Sequence, residues 1–429
     1  MDVLSPLRLV NRGLKALRKA KMARTLSSVR RIERVFPPPG RLVVAMTFDD
    51  GPTASPARPG GGNGLTESLL ESLRRYGARG TFDVIGSTAA NYPDRQGKLG
   101  TALWSGVKYD HYPEFGSDAL AGAINQKALA KRILDEGHEL TNHGMTHIDF
   151  GPSRIVYGSR GHFRNSREVE DDLRGLHDYV KSELGYEMRL ARPPHYIDGI
   201  PDGRNAYDVY GRLHYNYLGA SFDGGGWKAS TGDYKRDVDL MVGALERELA
   251  RDPASLNGQI IFQKDGYNMS KESPIVDALP RQLELLRAYG YRVVTVSELL
   301  DLSPFTDVSP TEPFFPAVLA LAKRGFKAGF RDNSFFPDRP VTGGELAAIL
   351  EGPWPEKVAG SGALQAGLSG RSGAPLTAKE VAAALAGEED GASVRLLGAL
   401  PTEVDPDCPL SRGWMAHMVL AALDQGLIG

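Results

Sequence analysis

Two adjacent acids, Asp49 and Asp50, close the apolar run Leu42 to Phe48 and are followed by Gly51-Pro52. The run reads as a buried strand, and the Gly-Pro stops it, so both carboxylates fall at a strand-to-loop junction. Neighbouring acids there repel one another unless a cation or a shared proton relieves them. A candidate cation site follows downstream in Gly137-His138-Glu139-Leu140-Thr141-Asn142-His143-Gly144-Met145-Thr146-His147. His143 and His147 have the i, i+4 spacing that puts two imidazoles on one side of a helical turn. One Asp and two His form a common ligand set for a catalytic divalent metal with positions left open for water and substrate. Each motif alone has a plain reading, an acidic turn or a structural His pair. Together, each at a strand end, they are much more specific.

Thr47-Phe48-Asp49-Asp50-Gly51-Pro52 and the His143/His147 segment resemble the first two motifs of the NodB-homology polysaccharide deacetylases, carbohydrate esterase family four. Further matches follow in the family's order. Ala191-Arg192-Pro193-Pro194-His195-Tyr196 resembles the third motif and Ser221-Phe222-Asp223-Gly224-Gly225-Gly226-Trp227 the fourth. Ala278-Leu279-Pro280, continuing through Tyr291 to Leu300, resembles the usual end of the domain. The resemblance covers residues 41–303 and implies hydrolysis of an N-acetyl amide on a glycan.

The resemblance also implies roles. Asp50, His143 and His147 bind a divalent metal, with Zn2+ the first candidate and Co2+, Ni2+ or Mn2+ admitted. That metal polarises the acetyl carbonyl and lowers the pKa of bound water. Asp49 is the general base, and Arg192 pairs with it and keeps it ionised. The backbone N–H of His195 completes an oxyanion hole. Asp223 buttresses Arg192 or a catalytic imidazole, Trp227 lines the acetyl pocket, and Pro194 and Tyr196 border the substrate. The plainer alternatives are a surface ion pair for Arg192 and a core position for Trp227.

Two positions depart from the family. Gly144 stands where Ser or Thr usually follows the first metal His, which removes a hydroxyl that could brace the loop. The fifth motif ends a strand with Leu-x-His, and that His protonates the leaving amine. Here the strand reads Ile260-Ile261-Phe262-Gln263-Lys264-Asp265, which places Gln263 at the acid's position. An amide can bind substrate but has no titratable proton. The acid then comes from elsewhere, with His195 the first candidate and Asp49, returning its proton, the second. Two rivals stay open: a catalytically weak barrel that binds glycan at the wall, and a hydrolase of another non-peptide C–N bond.

At 429 residues the chain fits two or three domains, and its composition is that of a globular protein with a full core. A net charge of −2 argues against nucleic-acid binding by the whole chain. Cys408 is the single cysteine, which excludes an intrachain disulfide and leaves the compartment open. Residues 1–40 hold ten Lys/Arg against two acids, without an apolar core of signal-peptide type. Leu7, Val10, Leu14 and Leu17 alternate with Arg8, Arg12, Lys15 and Lys19 as a basic amphipathic helix. Such a helix either packs on the protein or lies on an anionic membrane as a peripheral contact. Pro37-Pro38-Pro39-Gly40 reads as a linker.

The elements that must position these residues alternate. Strand-like runs at 42–48, 81–85, 138–141, 188–191, 216–222, 259–263 and 291–296 are separated by helical patterns. This predicts an α/β fold, a parallel sheet with helices outside, and the strand-end motifs suit a distorted barrel of about seven strands. Residues 87–125 form a long aromatic insertion, either a substrate wall or a self-packed loop.

Beyond Ser303 the composition shifts to Ala, Leu and Gly, and Pro340-Val341-Thr342, Pro375-Leu376-Thr377 and Pro409-Leu410-Ser411 recur 35 and 34 residues apart. Glu345 and Glu380 complete capping boxes with Thr342 and Thr377. Residues 304–429 are therefore expected to form a small all-α module of three units. The first unit, through Ala317-Val318-Leu319-Ala320-Leu321-Ala322 and Phe335 to Thr342, resembles an S-layer homology repeat, which implies docking on a cell-wall polymer and hence the cell surface or wall; a purely structural helical bundle and, with no signal peptide visible, a cytoplasmic place stay open. The basic residue usual after the Thr is replaced by Gly343 and Ala378, and only the third unit keeps one, Arg412.

Overall fold

The computed structural model describes residues 26–58, 60–87, 119–152, 154–155, 158–159, 161–228, 230–266, 272–351, 372–387 and 389–428. The amphipathic repeat expected between Leu7 and Lys19, and most of the 87–125 insertion, lie outside them. Contacts divide the chain into two compact units, residues 32–300 and residues 1–31 with 301–429. Of the basic segment and linker expected over 1–40, the described residues 26–31 fall with the second of these units and 32–40 with the first. None of the described helices is long and apolar enough to cross a membrane.

The first unit is built on one sheet. In chain order its strands are β1 (Arg31–Ile32), β2 (Leu42–Asp49), β3 (Thr81–Val84) and β4 (Glu139–Asn142), then, after a separate two-stranded hairpin of β5 (Arg154–Ile155) and β6 (Gly158–Ser159), β7 (Leu190–Ala191), β8 (Asn216–Leu218), β9 (Phe222–Asp223), β10 (Ile260–Lys264) and β11 (Tyr291–Val294). The order across the sheet is β1-β8-β7-β4-β3-β2-β10-β9, with β11 also pairing β2. Neighbours from β8 round to β9 run parallel. The sheet is open and curled, a half-barrel, and all seven expected strands are in it. The central strand β2 is buried in seven of its eight positions, as a parallel strand covered on both faces must be.

Helices α1 (Leu65–Tyr76), α2 (Lys127–Asp135), α3 (Ser166–Leu184), α4 (Ala206–Arg212), α5 (Tyr234–Arg251) and α6 (Ile275–Ala288) connect the strands, and α7 (Val296–Leu302) follows β11. Each long one buries one apolar stripe; α1, for example, buries Leu65, Leu69, Leu70 and Leu73. The ends are fixed locally. Asn165 caps α3 by accepting from the N–H groups of Arg167 and Glu168, and Gly185 ends it in the left-handed region at φ 67°.

Parallel register decides which side chains meet. Asp49 lies opposite Asp83 on β3 and opposite Lys264 on β10. Asp83 lies opposite Thr141 on β4, and Asn142 opposite Ala191, the residue before Arg192. The C-terminal ends of five neighbouring strands thus present their polar residues to one region.

The second unit contains α8 (Phe315–Lys323), α9 (Gly343–Glu351), α10 (Ala378–Ala386), α11 (Ala392–Gly398) and α12 (Arg412–Asp424) around its own apolar core. The three repeated tripeptides meet there. Val341 N–H donates to Leu410 O at 2.9 Å, Leu410 N–H to Leu376 O at 2.8 Å, and Leu376 N–H to Val341 O at 2.9 Å. This closed ring of three backbone hydrogen bonds gives the 35- and 34-residue spacing its physical meaning. Thr342 with Glu345 and Thr377 with Glu380 make reciprocal capping contacts, and Ser411 caps α12.

Arg412 is fully buried, stacked between the rings of Phe330 and Phe335. Its guanidinium donates to the carbonyls of Phe335 and Ala328 and pairs with Glu345 at 3.2 Å. The one basic residue kept at the repeat position therefore ties the third unit to the first and is not offered to a polymer. Arg412→Ala leaves Glu345 and two carbonyls without this cation. It is expected to lower unfolding stability by about 3 kcal/mol, measured by urea denaturation followed through Trp414 fluorescence.

Candidate active site

The structure brings Asp50, His143 and His147 together. Asp50 Oδ1 lies 3.2 Å from His143 Nε2 and 3.2 Å from His147 Nε2, and all three side chains are buried. Their ligating atoms fall within 4.8 Å of one another. The other nitrogen of His143, Nδ1, lies 2.8 Å from the Arg192 carbonyl and 3.0 Å from Asp83 Oδ2. A metal-binding imidazole needs that outward contact to fix its orientation. The donor set thus fits a divalent ion.

Asp49 faces Arg192 across the same region. Arg192 is wholly buried, and its guanidinium donates to Asp49 Oδ1, to Thr47 Oγ1 at 3.1 Å, to Leu218 O at 3.1 Å and to Gly219 O at 3.0 Å. Burial pushes the Asp49 carboxyl up to about 6, against the pull of Arg192. Burial also disfavours a charged His143, yet Asp83, Asp50 and Asp49 together hold it well above its usual value. Asp265, beside Asp50, is raised well above the carboxylate range by burial, opposed by Thr66, whose hydroxyl donates to it at 2.7 Å. A Cβ on Gly51 would come within 1.9 Å of Asp265 Oδ2, so only glycine lets the two acids approach.

Backbone strain is concentrated here. Asp50, His147, His195 and Tyr196 all have left-handed φ, at 77°, 58°, 51° and 57°. They are four of the seven described non-glycine residues with positive φ, a conformation that persists where surrounding structure enforces it.

His195 packs edge-on against His147, with ring centroids 5.1 Å apart. Its Nδ1 lies 2.8 Å from Asp149 Oδ1, and the side chain retains some exposure. An imidazole oriented by a buried carboxylate is the usual construction of a proton-transfer group. Pro194 is buried, and Tyr196 lies over the Arg192 guanidinium, tilted against Phe262.

Three expectations are corrected. Gln263 does not face the acids. Side chains alternate along a strand, so Phe262 and Lys264 point inward beside Thr47 and Asp49, while Gln263, opposite Phe48, points to the helices. There its amide donates to Gln282 Oε1 at 2.8 Å. Lys264 occupies the inner position, and its ammonium pairs with Asp50 Oδ2. Asp223 does not buttress Arg192 or an imidazole: four of the five Arg192 N–H donors go to Asp49, Thr47, Leu218 and Gly219, and Asp223 bonds elsewhere. It accepts instead from Gly225 N–H at 2.8 Å and from Trp227 Nε1 at 2.9 Å, at the end of edge strand β9. Trp227 is 42 % exposed, so it forms an open surface rather than a pocket wall. Asp83, in contact with His143 and 3.9 Å from Arg192 Nε, stands in the part expected of Asp223.

The sequence reading missed Asp83, Asp149, Asp172, Lys264 and Asp265. Asp172 answers the loss of a hydroxyl at Gly144. Its carboxylate accepts from Met145 N–H at 2.8 Å, Thr146 N–H at 3.2 Å and Thr146 Oγ1 at 2.7 Å, which braces the turn between the two His. Gly144 has φ 88°, and a Cβ there would come within 2.8 Å of Asp172.

Comparison with known proteins finds two family models that match parts of the chain. A model described as polysaccharide deacetylase matches residues 37–196, and one described as S-layer homology domain matches residues 304–347. The chain carries a polysaccharide deacetylase domain followed by an S-layer homology domain. The deacetylase domain is similar to the peptidoglycan-N-acetylmuramic acid deacetylase PdaC of Bacillus subtilis, 24% identical over 61% of this chain and 39% of that protein. It is also similar to a peptidoglycan-N-acetylglucosamine deacetylase of Bacillus cereus, 26% identical over 61% of this chain and 90% of that one. The chain thus spans under two thirds of the first relative and most of the second. The solved structure of PdaC from Bacillus subtilis is 22% identical, covers 62% of this chain and 92% of its own, and superposes with a TM-score of 0.40.

Asp172→Ala strips three donors in the deacetylase domain of their acceptor. It is expected to cost about 2–3 kcal/mol of stability and to weaken metal binding, read by denaturation in chelator and by metal titration.

Proposed function

We propose that this chain is a metal-dependent hydrolase that removes N-acetyl groups from an amino sugar or polysaccharide, with cell-wall peptidoglycan the favoured class. The observation that carries this reading is the convergence of Asp50, His143 and His147 beside an Asp49 held by Arg192. The names of the relatives supply the substrate class. When bound, a divalent ion, Zn2+ first among candidates, would polarise the acetyl carbonyl and lower the pKa of a water.

The chain's own residues do the rest. Asp49 takes the proton of the attacking water, and Arg192 keeps its carboxylate aimed. Water oxygen adds to the acetyl carbon, the backbone N–H of His195 faces the developing oxyanion, and the C–N bond then breaks. The His195 imidazole, oriented by Asp149, hands a proton to the departing nitrogen, which leaves as an amine with acetate as the second product. Tyr196 and Pro194 border the sugar, and the Trp227 indole, fixed by Asp223, offers a sugar ring an open face. The S-layer homology domain would hold the enzyme at the wall through residues other than Arg412.

One observation favours a second reading, a weakly active glycan binder: the Lys264 ammonium rests on a proposed metal ligand. Acetate release separates the two. Metal-loaded protein is expected to release acetate from N-acetylglucosamine oligomers or peptidoglycan fragments, and His143→Ala to lose both metal and acetate release. His195→Gln is expected to lower kcat by ~10²–10⁴ with little change in metal content. Protein that binds metal yet releases no acetate from any of these glycans would leave the binder or another C–N hydrolase.

A further inference from the structure

Asp50 is shared. Its Oδ1 faces the two imidazoles, and its Oδ2 is taken by the Lys264 ammonium. Both partners are buried, Asp50 at 2 % and Lys264 at 4 % exposure, so water screens the pair weakly. The neighbouring charges are otherwise committed. Asp49 belongs to Arg192, Asp83 faces His143 and Arg192, and Asp265, with its acid proton favoured by burial, accepts from Thr66. The register of β10 on β2 holds Lys264 beside Asp49, and its inward direction follows from strand alternation. The ammonium is therefore built into the site and does not arrive from a mobile surface chain.

Resting on the metal-site reading above, we propose that Lys264 is a tethered cation that shares Asp50 with the divalent ion, loosening the ion's hold and neutralising the carboxylate when the ion is absent. Two cations on one buried carboxylate repel each other, and the donor electron density of Asp50 is divided between them. Removing the tethered cation strengthens the hold on the ion. It also strips metal-free Asp50 of its ammonium partner and leaves it only the imidazoles, of which His143 is shared with Asp83, which destabilises the metal-free fold. The two effects have one cause and must appear together.

The test is a titration of the full-length protein with Zn2+, repeated with Co2+, whose visible absorption reports ligands directly. Lys264→Met is compared with wild type, and Lys264→Gln is measured beside it as a polar substitute should Met fold poorly. Lys264→Arg keeps the charge. The proposal expects Met and Gln to bind either ion roughly tenfold to a hundredfold more tightly than wild type. It expects Arg to stay near wild type. In chelator, Met and Gln are expected to melt below wild type, with the gap narrowing as Zn2+ is added. Equal or weaker binding by Met and Gln, with wild type binding one ion, overturns the Lys264 proposal and leaves the metal site standing. No binding by any of the four proteins overturns the metal site and this proposal with it.

Discussion

Three carboxylates, Asp49, Asp50 and Asp83, are buried side by side at the ends of β2 and β3, and the centre depends on the cations set among them. Arg192 answers Asp49, Lys264 answers Asp50, and His143 stands between Asp50 and Asp83. Without these partners the acids would repel one another or take up protons, as Asp265 beside them is pushed to do. The half-barrel supplies the geometry. Parallel register aligns Asp49 with Asp83 and Lys264, and the turn after β7 brings Arg192 under them. Strained backbone at Asp50, His147, His195 and Tyr196 shows how far the fold bends to hold that arrangement.

The C-terminal unit solves a different problem with the same economy of contacts. Three short repeats, each too small to enclose a core, are joined through a ring of backbone hydrogen bonds among Val341, Leu376 and Leu410. Arg412, caged by two aromatic rings and Glu345, spends its charge inside that unit. A role in wall docking must therefore rest on other side chains.

Much of this was legible in the chain. The seven apolar runs became seven strands of one sheet, because burial on both faces leaves a continuous apolar signature. The Asp-Asp and His-x-x-x-His motifs were readable because their residues are close in sequence and lie at strand ends. The repeat spacing was readable because each unit carries the same turn and cap. What escaped was tertiary. Asp83, Asp149 and Asp172 belong to no local pattern and acquire their roles only where distant segments converge. Gln263 was misplaced by a single residue. Strand alternation from Phe262 points inward at Lys264, whereas aligning Leu-x-His on Ile261-Phe262-Gln263 points at its neighbour.

The proposed chemistry requires Asp50, His143 and His147 to hold one divalent ion. The direct measurement is anomalous diffraction at the zinc edge from crystals grown with Zn2+. A single strong peak is expected, bonded to Asp50, His143 Nε2 and His147 Nε2 at ~2.0–2.2 Å, with the Lys264 ammonium moved from its place or sharing the carboxylate. A density map with no peak among these three side chains, and Lys264 still closing the carboxylate at saturating Zn2+, would contradict it.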